Sequence, residues 1–105
     1  MIIRSAVLEG TVPDADRAAF DQHMQTSVLA AIATYPGITE VKLRWPAETE
    51  PGAPPIHMIF DLYFPDLATM HGALASGTRQ QVRAKIAEAM PLFQGRVYHL
   101  IMREG

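Results

Sequence analysis

The sequence predicts an α+β fold in which two helices cover one face of a four-stranded antiparallel sheet. Three observations carry this expectation. Short apolar runs bounded by Gly and Pro mark four strands. Two stretches with apolar residues every three or four positions mark two helices. Their order along the 105-residue chain is β-α-β-β-α-β.

Ile2 to Glu9 is mostly apolar, β-branched early, and stops at Gly10, so it reads as the first strand. Asp14 is placed to cap a helix, with Asp16 adding a second acid in the first turn, near the positive end of the dipole. Phe20, Met24, Val28, Ala31, Ile32 and Tyr35 then form one buried stripe, and Pro36-Gly37 ends it. Ile38 to Trp45 alternates, with Val41, Leu43 and Trp45 opposite Glu40, Lys42 and Arg44, the pattern of a half-buried edge strand. Pro46 to Pro55 holds four prolines and two glutamates and reads as a solvated loop. Ile56 to Phe64 is the strongest strand signal and ends at Pro65-Asp66. A helical stretch from about Leu67 to Ala75 carries Leu67, Met70 and Leu74, and Ser76-Gly77 interrupts it. Thr78 followed by Gln81 is a capping-box pattern that restarts the helix, with Val82, Ile86, Ala89 and Met90 apolar. Pro91 and Gly95 close it, and Arg96 to Met102 is the last strand. Two right-handed β-α-β crossings over one antiparallel sheet give a ferredoxin-like plan with the first and third strands central. Residues 1–105 are expected to form one domain.

Composition narrows the function classes. Apolar residues make up 49% of the chain and charged residues 19%, a globular balance. The absence of cysteine excludes thiol nucleophiles, iron–sulfur clusters and cysteine zinc sites, and fits a reducing cytoplasm. A net charge of −2 with no basic stripe argues against a nucleic-acid partner. No apolar run reaches the ~18–20 residues that a membrane span needs, and the N-terminus lacks a signal-peptide pattern.

A chain this small buries only roughly 60–65% of its unfolded surface and is marginal alone. On the third strand Met58, Phe60, Leu62 and Phe64 form an apolar face, yet His57, Ile59, Asp61 and Tyr63 on the other are only partly polar. A surface carrying Ile3, Val7, Ile59, Tyr63, Val97 and Ile101 would be a large exposed apolar patch. A second copy packed sheet to sheet would cover it, so a homodimer is expected.

Candidate chemistry centres on His23, three residues after Phe20 and four before Ser27, on the sheet-facing flank of the first helix. A neutral imidazole there can move a proton, and Ser27 could hold its ring or a substrate oxygen. Asp61 lies mid-strand among apolar residues, where a charge needs a partner such as His57 or His99 or a residue of a second chain. His57, Asp61 and His99 could share one sheet face. Two histidines and a carboxylate do form a known metal set, but spacing across strands is not a motif, and no metal is expected. Arg4 shares the parity of Ala6 and Leu8 and is placed to reach a pocket rim and hold a carbonyl or acidic oxygen. His71 reads as a surface residue. Phe20, Met24 and Phe60 are candidate cavity walls, and Tyr98 a candidate phenolic donor.

With these residues in hand, the chain resembles the EthD-like proteins of the dimeric α/β-barrel superfamily. Three segments carry the likeness: Phe20-Asp21-Gln22-His23 leading to Tyr35-Pro36-Gly37-Ile38, Phe60-Asp61-Leu62-Tyr63-Phe64 followed by Leu67 and Met70, and Ala73-Leu74-Ala75-Ser76. The resemblance implies a homodimer, a ligand cavity between helices and sheet in each subunit, and no cofactor. It implies an isomerase, lyase, cyclase or monooxygenase acting on a small hydrophobic carbonyl or aromatic compound, or a non-catalytic accessory protein of catabolism that binds one. It also places His23 at the family's helix-one histidine and Asp61 where the family has an acid, more often glutamate. Two features depart from the pattern: Met24-Gln25-Thr26 follows His23, and Arg79 stands where cyclase-like members carry a histidine.

Overall fold

A computed structural model describes residues 1–105. The elements run β1 (Ile2–Thr11), α1 (Asp14–His23), a π-helical turn (Met24–Val28), α2 (Leu29–Ile32), β2 (Glu40–Arg44) and β3 (Ile56–Phe64). They continue with α3 (Leu67–Leu74), α4 (Thr78–Ala87), a 3-10 turn (Met90–Leu92) and β4 (Gln94–Arg103). The sheet is antiparallel in the order β2-β3-β1-β4, so β1 and β3 are central, as expected of a ferredoxin-like fold.

Register assigns each side chain to a face. Directly opposed residues of an antiparallel pair share a face, and Leu8 opposes Met58, Ala6 opposes Phe60, and Arg4 opposes Leu62. Those even-numbered positions turn towards the helices. Sixteen buried apolar residues form the core there, with Phe20, Met24, Val28, Met58 and Phe64 sealed from solvent. On β4 the inward set is odd-numbered, because Val97 opposes Leu8 and His99 opposes Ala6. This corrects the expected outer face. Ile3 is opposed by Met102, Ser5 by Leu100 and Val7 by Tyr98, so Tyr98, Leu100 and Met102 share the outer face, while Val97 and Ile101 do not.

Helix ends differ from expectation in instructive ways. Pro13, in extended geometry, occupies the N-cap of α1, so Asp14 falls one position inside the helix and bonds Arg17 rather than backbone amides. Gly77 takes the N-cap of α4, which leaves the Thr78 hydroxyl one residue too late to cap it. The side-chain cap belongs to α3, where the Asp66 carboxylate accepts the Thr69 amide at 2.7 Å.

Two glycines let β1 and β4 close on each other. Gly10 and Gly95 are directly opposed, with φ of 154° and 153°. A Cβ on Gly10 would sit 2.1 Å from the Gln94 carbonyl oxygen, and one on Gly95 would sit 2.1 Å from that of Glu9.

Candidate functional site

The first helical stretch does not run as one α-helix. After His23 it loosens into the five-residue π turn and tightens again at Leu29. The Thr26 hydroxyl donates to the Gln22 carbonyl at 2.7 Å, a side-chain bond to the ladder at the site of the irregularity. Within the turn, Met24 and Val28 remain buried.

A cavity of about 220 Å3 lies between this turn, α4 and the inner face of the sheet. Ala6, Leu8, Met24, Phe60, Val82 and Ile86 are among its apolar walls. Its polar groups are Arg4 and His99 from the sheet, Tyr35 after α2, and Arg79 and Arg83 from α4. Arg79 and Arg83 are four residues apart and lie on one face of α4. Alternation does the same on the strands, bringing Arg4 beside His99 across the β1–β4 ladder.

The electrostatics follow from burial and crowding of like charge. Partial burial, and then Arg79, hold the Arg4 guanidinium below the usual arginine range; Tyr35 acts the other way and Arg83 adds to the lowering. Burial raises the Tyr35 phenol despite the three nearby arginines, so it stays protonated at neutral pH. Burial and then Arg4, Arg79 and Arg83 push His99 below its ordinary value of 6.5, so its imidazole is neutral at pH 7.

Of the residues singled out in the sequence, Arg4, Met24 and Phe60 line the cavity, and His23, Ser27, Phe20, Asp61 and Tyr98 do not. His23 donates from Nε2 to the Lys85 carbonyl at 2.6 Å, tying the end of α1 to α4. The π turn that follows it invalidates the four-residue spacing that would have stacked Ser27 above it. Phe20 lies in the core against the Phe93 ring and the edge of His57. Tyr98 is on the outer face, where the Arg96 guanidinium lies over its ring.

Asp61 is buried on the outer face and has two partners other than those anticipated. The Ser5 hydroxyl donates to Oδ1 at 2.6 Å, and Arg44 Nε donates to Oδ2 at 2.6 Å. His57, Asp61 and His99 do not share a face. β3 bulges at His57, the extra residue between the Glu9–Ile56 and Leu8–Met58 pairs. The bulge turns the ring to the helix side, where Nε2 meets the Asp21 carboxylate at 2.7 Å. His99 itself is a cavity residue, whereas sequence reading offered it only as a partner for Asp61 on a shared sheet face. Its signal was the parity of β4, readable only once the β1–β4 register was known.

No family model matches the sequence, and no curated protein matches it. Solved structures do share its fold. An EthD family protein from Bacillus halodurans C-125 superposes with a TM-score of 0.74 over 100% of both chains at 18% identity. A protein described as an antibiotic biosynthesis monooxygenase gives 0.69 over 100% of this chain and 99% of its own, at 12% identity. A dimeric protein of unknown function with a ferredoxin-like fold, from Bacteroides fragilis NCTC 9343, gives 0.69 over 98% and 95% at 10% identity. The resemblance to EthD-like proteins therefore extends to the three-dimensional fold, and at these identities it is a likeness of fold.

Proposed function

We propose that the chain works as a homodimer that takes a small, largely apolar carbonyl or aromatic compound into the cavity and moves a proton on it without a cofactor. The observation that carries this reading is the cavity itself, with apolar walls and a few polar groups close enough to influence one another. His99, neutral at pH 7, is the group positioned to accept a proton from carbon or oxygen. The guanidiniums beside it would stabilise the negative charge left on the substrate oxygen, and the Tyr35 hydroxyl can donate to it. Returning the proton to a different atom completes an isomerisation. In this reading His23 is a positioning residue that holds α4 against α1.

Dimerisation rests on the outer face and its free edge. Leu100 and Met102 are 45% and 50% exposed there, beside Ile3, Ile59 and Tyr63, and a neighbour in fold is described as dimeric. A second copy covering that face would remove these side chains from water.

The test is proton exchange. Small aryl ketones incubated with the protein in deuterated water should lose their α C–H signals, and His99→Gln should slow that loss at least 100-fold while ligand binding persists. Exchange at the wild-type rate in His99→Gln would overturn the assignment. The position of His23, bonded to a backbone carbonyl outside the cavity, favours a second reading, a binding protein with no turnover. Saturable binding without exchange in the wild type would establish that reading instead.

A further inference from the structure

The chain has nine lysines and arginines. Arg17, Lys42, Arg44, Lys85 and Arg96 each face a carboxylate within 4.0 Å. Arg4, Arg79, Arg83 and Arg103 face none; Arg103 lies at the end of β4, and the other three line a single cavity, together with His99. No aspartate or glutamate lines it with them. Three like charges have thus been gathered around an apolar pocket with no internal counter-charge, although eleven acids were available in the chain.

That arrangement is costly in the empty protein. Charges near a partly buried pocket repel more strongly than in open water, because the surrounding dielectric is lower. Burial first, and then the same three arginines, disfavour the charged form of His99, which faces them in the cavity. An oxygen that becomes negative only transiently would leave the cluster uncompensated for most of the time. A ligand that is already an anion compensates it on binding.

We propose that the cavity selects a compound with an apolar body and a permanent anionic head, a carboxylate, held by Arg4, Arg79 and Arg83. The proposal rests on the cavity-binding reading above and names the substrate class for it. Arg4, on the floor strand, is placed to take the head from the sheet side. Arg79 and Arg83 take it from α4, while Met24, Phe60 and Ile86 contact the body. Guanidinium forks suit the two oxygens of a carboxylate better than a single phenolate oxygen.

The experiment compares phenylacetate with phenylacetamide, the same shape without the charge, by titration followed in 1H–15N spectra at pH 7. Phenylacetate should bind at least tenfold more tightly, and raising salt should erode the advantage. Arg4→Gln and Arg79→Gln should each abolish most of the preference, weakening phenylacetate far more than phenylacetamide, and should raise the Tm of the unliganded protein by relieving repulsion. The His99 ring signals add a readout that a merely structural role would not move. Phenylacetate should raise the His99 pKa by neutralising the Arg4, Arg79 and Arg83 charges that face it beside Tyr35, and phenylacetamide should leave it unchanged. Equal affinity for acid and amide would overturn the anion proposal and leave the cavity reading intact. A preference that survives both substitutions would also overturn it. Binding of neither compound would overturn both.

Discussion

His99 on β4 and Asp61 on β3, the two strands that flank β1, show how differently two ionisable residues can be used. His99 opens onto the cavity and stays neutral, because partial burial and then three arginines oppose its charged form. Its folded pKa lies below the unfolded one, so the unfolded chain takes up the proton first as pH falls. Stability is therefore full above about pH 6.5 and declines as pH drops through it. Urea midpoints measured from pH 7.5 to 5 should fall accordingly, and His99→Phe should flatten that part of the curve. Asp61 is fixed between the Ser5 hydroxyl and the Arg44 guanidinium. Its side chain is 6% exposed, whereas that of Arg44 is 58% exposed, so the pair is asymmetric. Removing the arginine strands a buried charge, while neutralising the acid only frees a solvated one. Arg44→Met should cost about 2–3 kcal/mol and Asp61→Asn about 1–2 kcal/mol in chemical denaturation, in that order. The reverse order would refute this account. That Asp61 needs a partner was legible in the sequence; which partner was not, since Arg44 and Ser5 reach it only through the β1–β3 and β2–β3 registers.

Element identity was largely readable because each element carries its own periodicity. β3 begins and ends where its apolar run does, at Ile56 and Phe64, and β2 shows its edge position in the alternation of Val41 and Leu43 with charged neighbours. Three features escaped because they break a period rather than keep one. The bulge at His57 adds a residue to one strand only, the π turn adds one to a helix, and the parity of β4 depends on where it pairs. Each moved a candidate residue: His57 to the helix side, Ser27 out of line with His23, and Tyr98 to the outer face. The Gly10–Gly95 closure belongs to the same scale. An alanine at either position meets a backbone oxygen, which cannot rotate away, and the backbone itself sits at a φ that L side chains rarely adopt. Gly10→Ala should therefore destabilise the protein by more than about 2 kcal/mol and loosen hydrogen-exchange protection along β4 before β3.

At the scale of the whole molecule, the two faces of the sheet are set to different tasks. The inner face carries the core and the cavity. The outer face mixes Ile3, Ile59, Tyr63, Leu100 and Met102 with the Arg44–Asp61 and Glu9–Arg96 pairs. Its apolar content is visible in the sequence, which is why the sequence alone predicts a second copy. The expected set differs on β4, at His57, which the bulge turns inward, and at Val7, which is only 4% exposed. If a second copy covers this face, Leu100→Glu with Met102→Glu should shift native mass spectra from two chains to one. The cavity lies on the opposite face, so its affinity for a small apolar probe should survive in any monomer that stays folded. A two-chain mass in the double variant would exclude this face as the contact.

The π turn between His23 and Leu29 also bears on how this chain can be compared with others or recombined with them. A π turn holds one residue more than the α turn it replaces, so Asp14–His23 and Leu29–Ile32 stand one step out of phase as ordinary helical repeats. A relative lacking the extra residue aligns with this chain in one register before Met24 and in another after Val28. The gap needed to reconcile them falls inside a helix, where matching procedures are least willing to place it. A chimera that joined the two halves without regard to that step would rotate every side chain downstream, Tyr35 among them, away from its present neighbours.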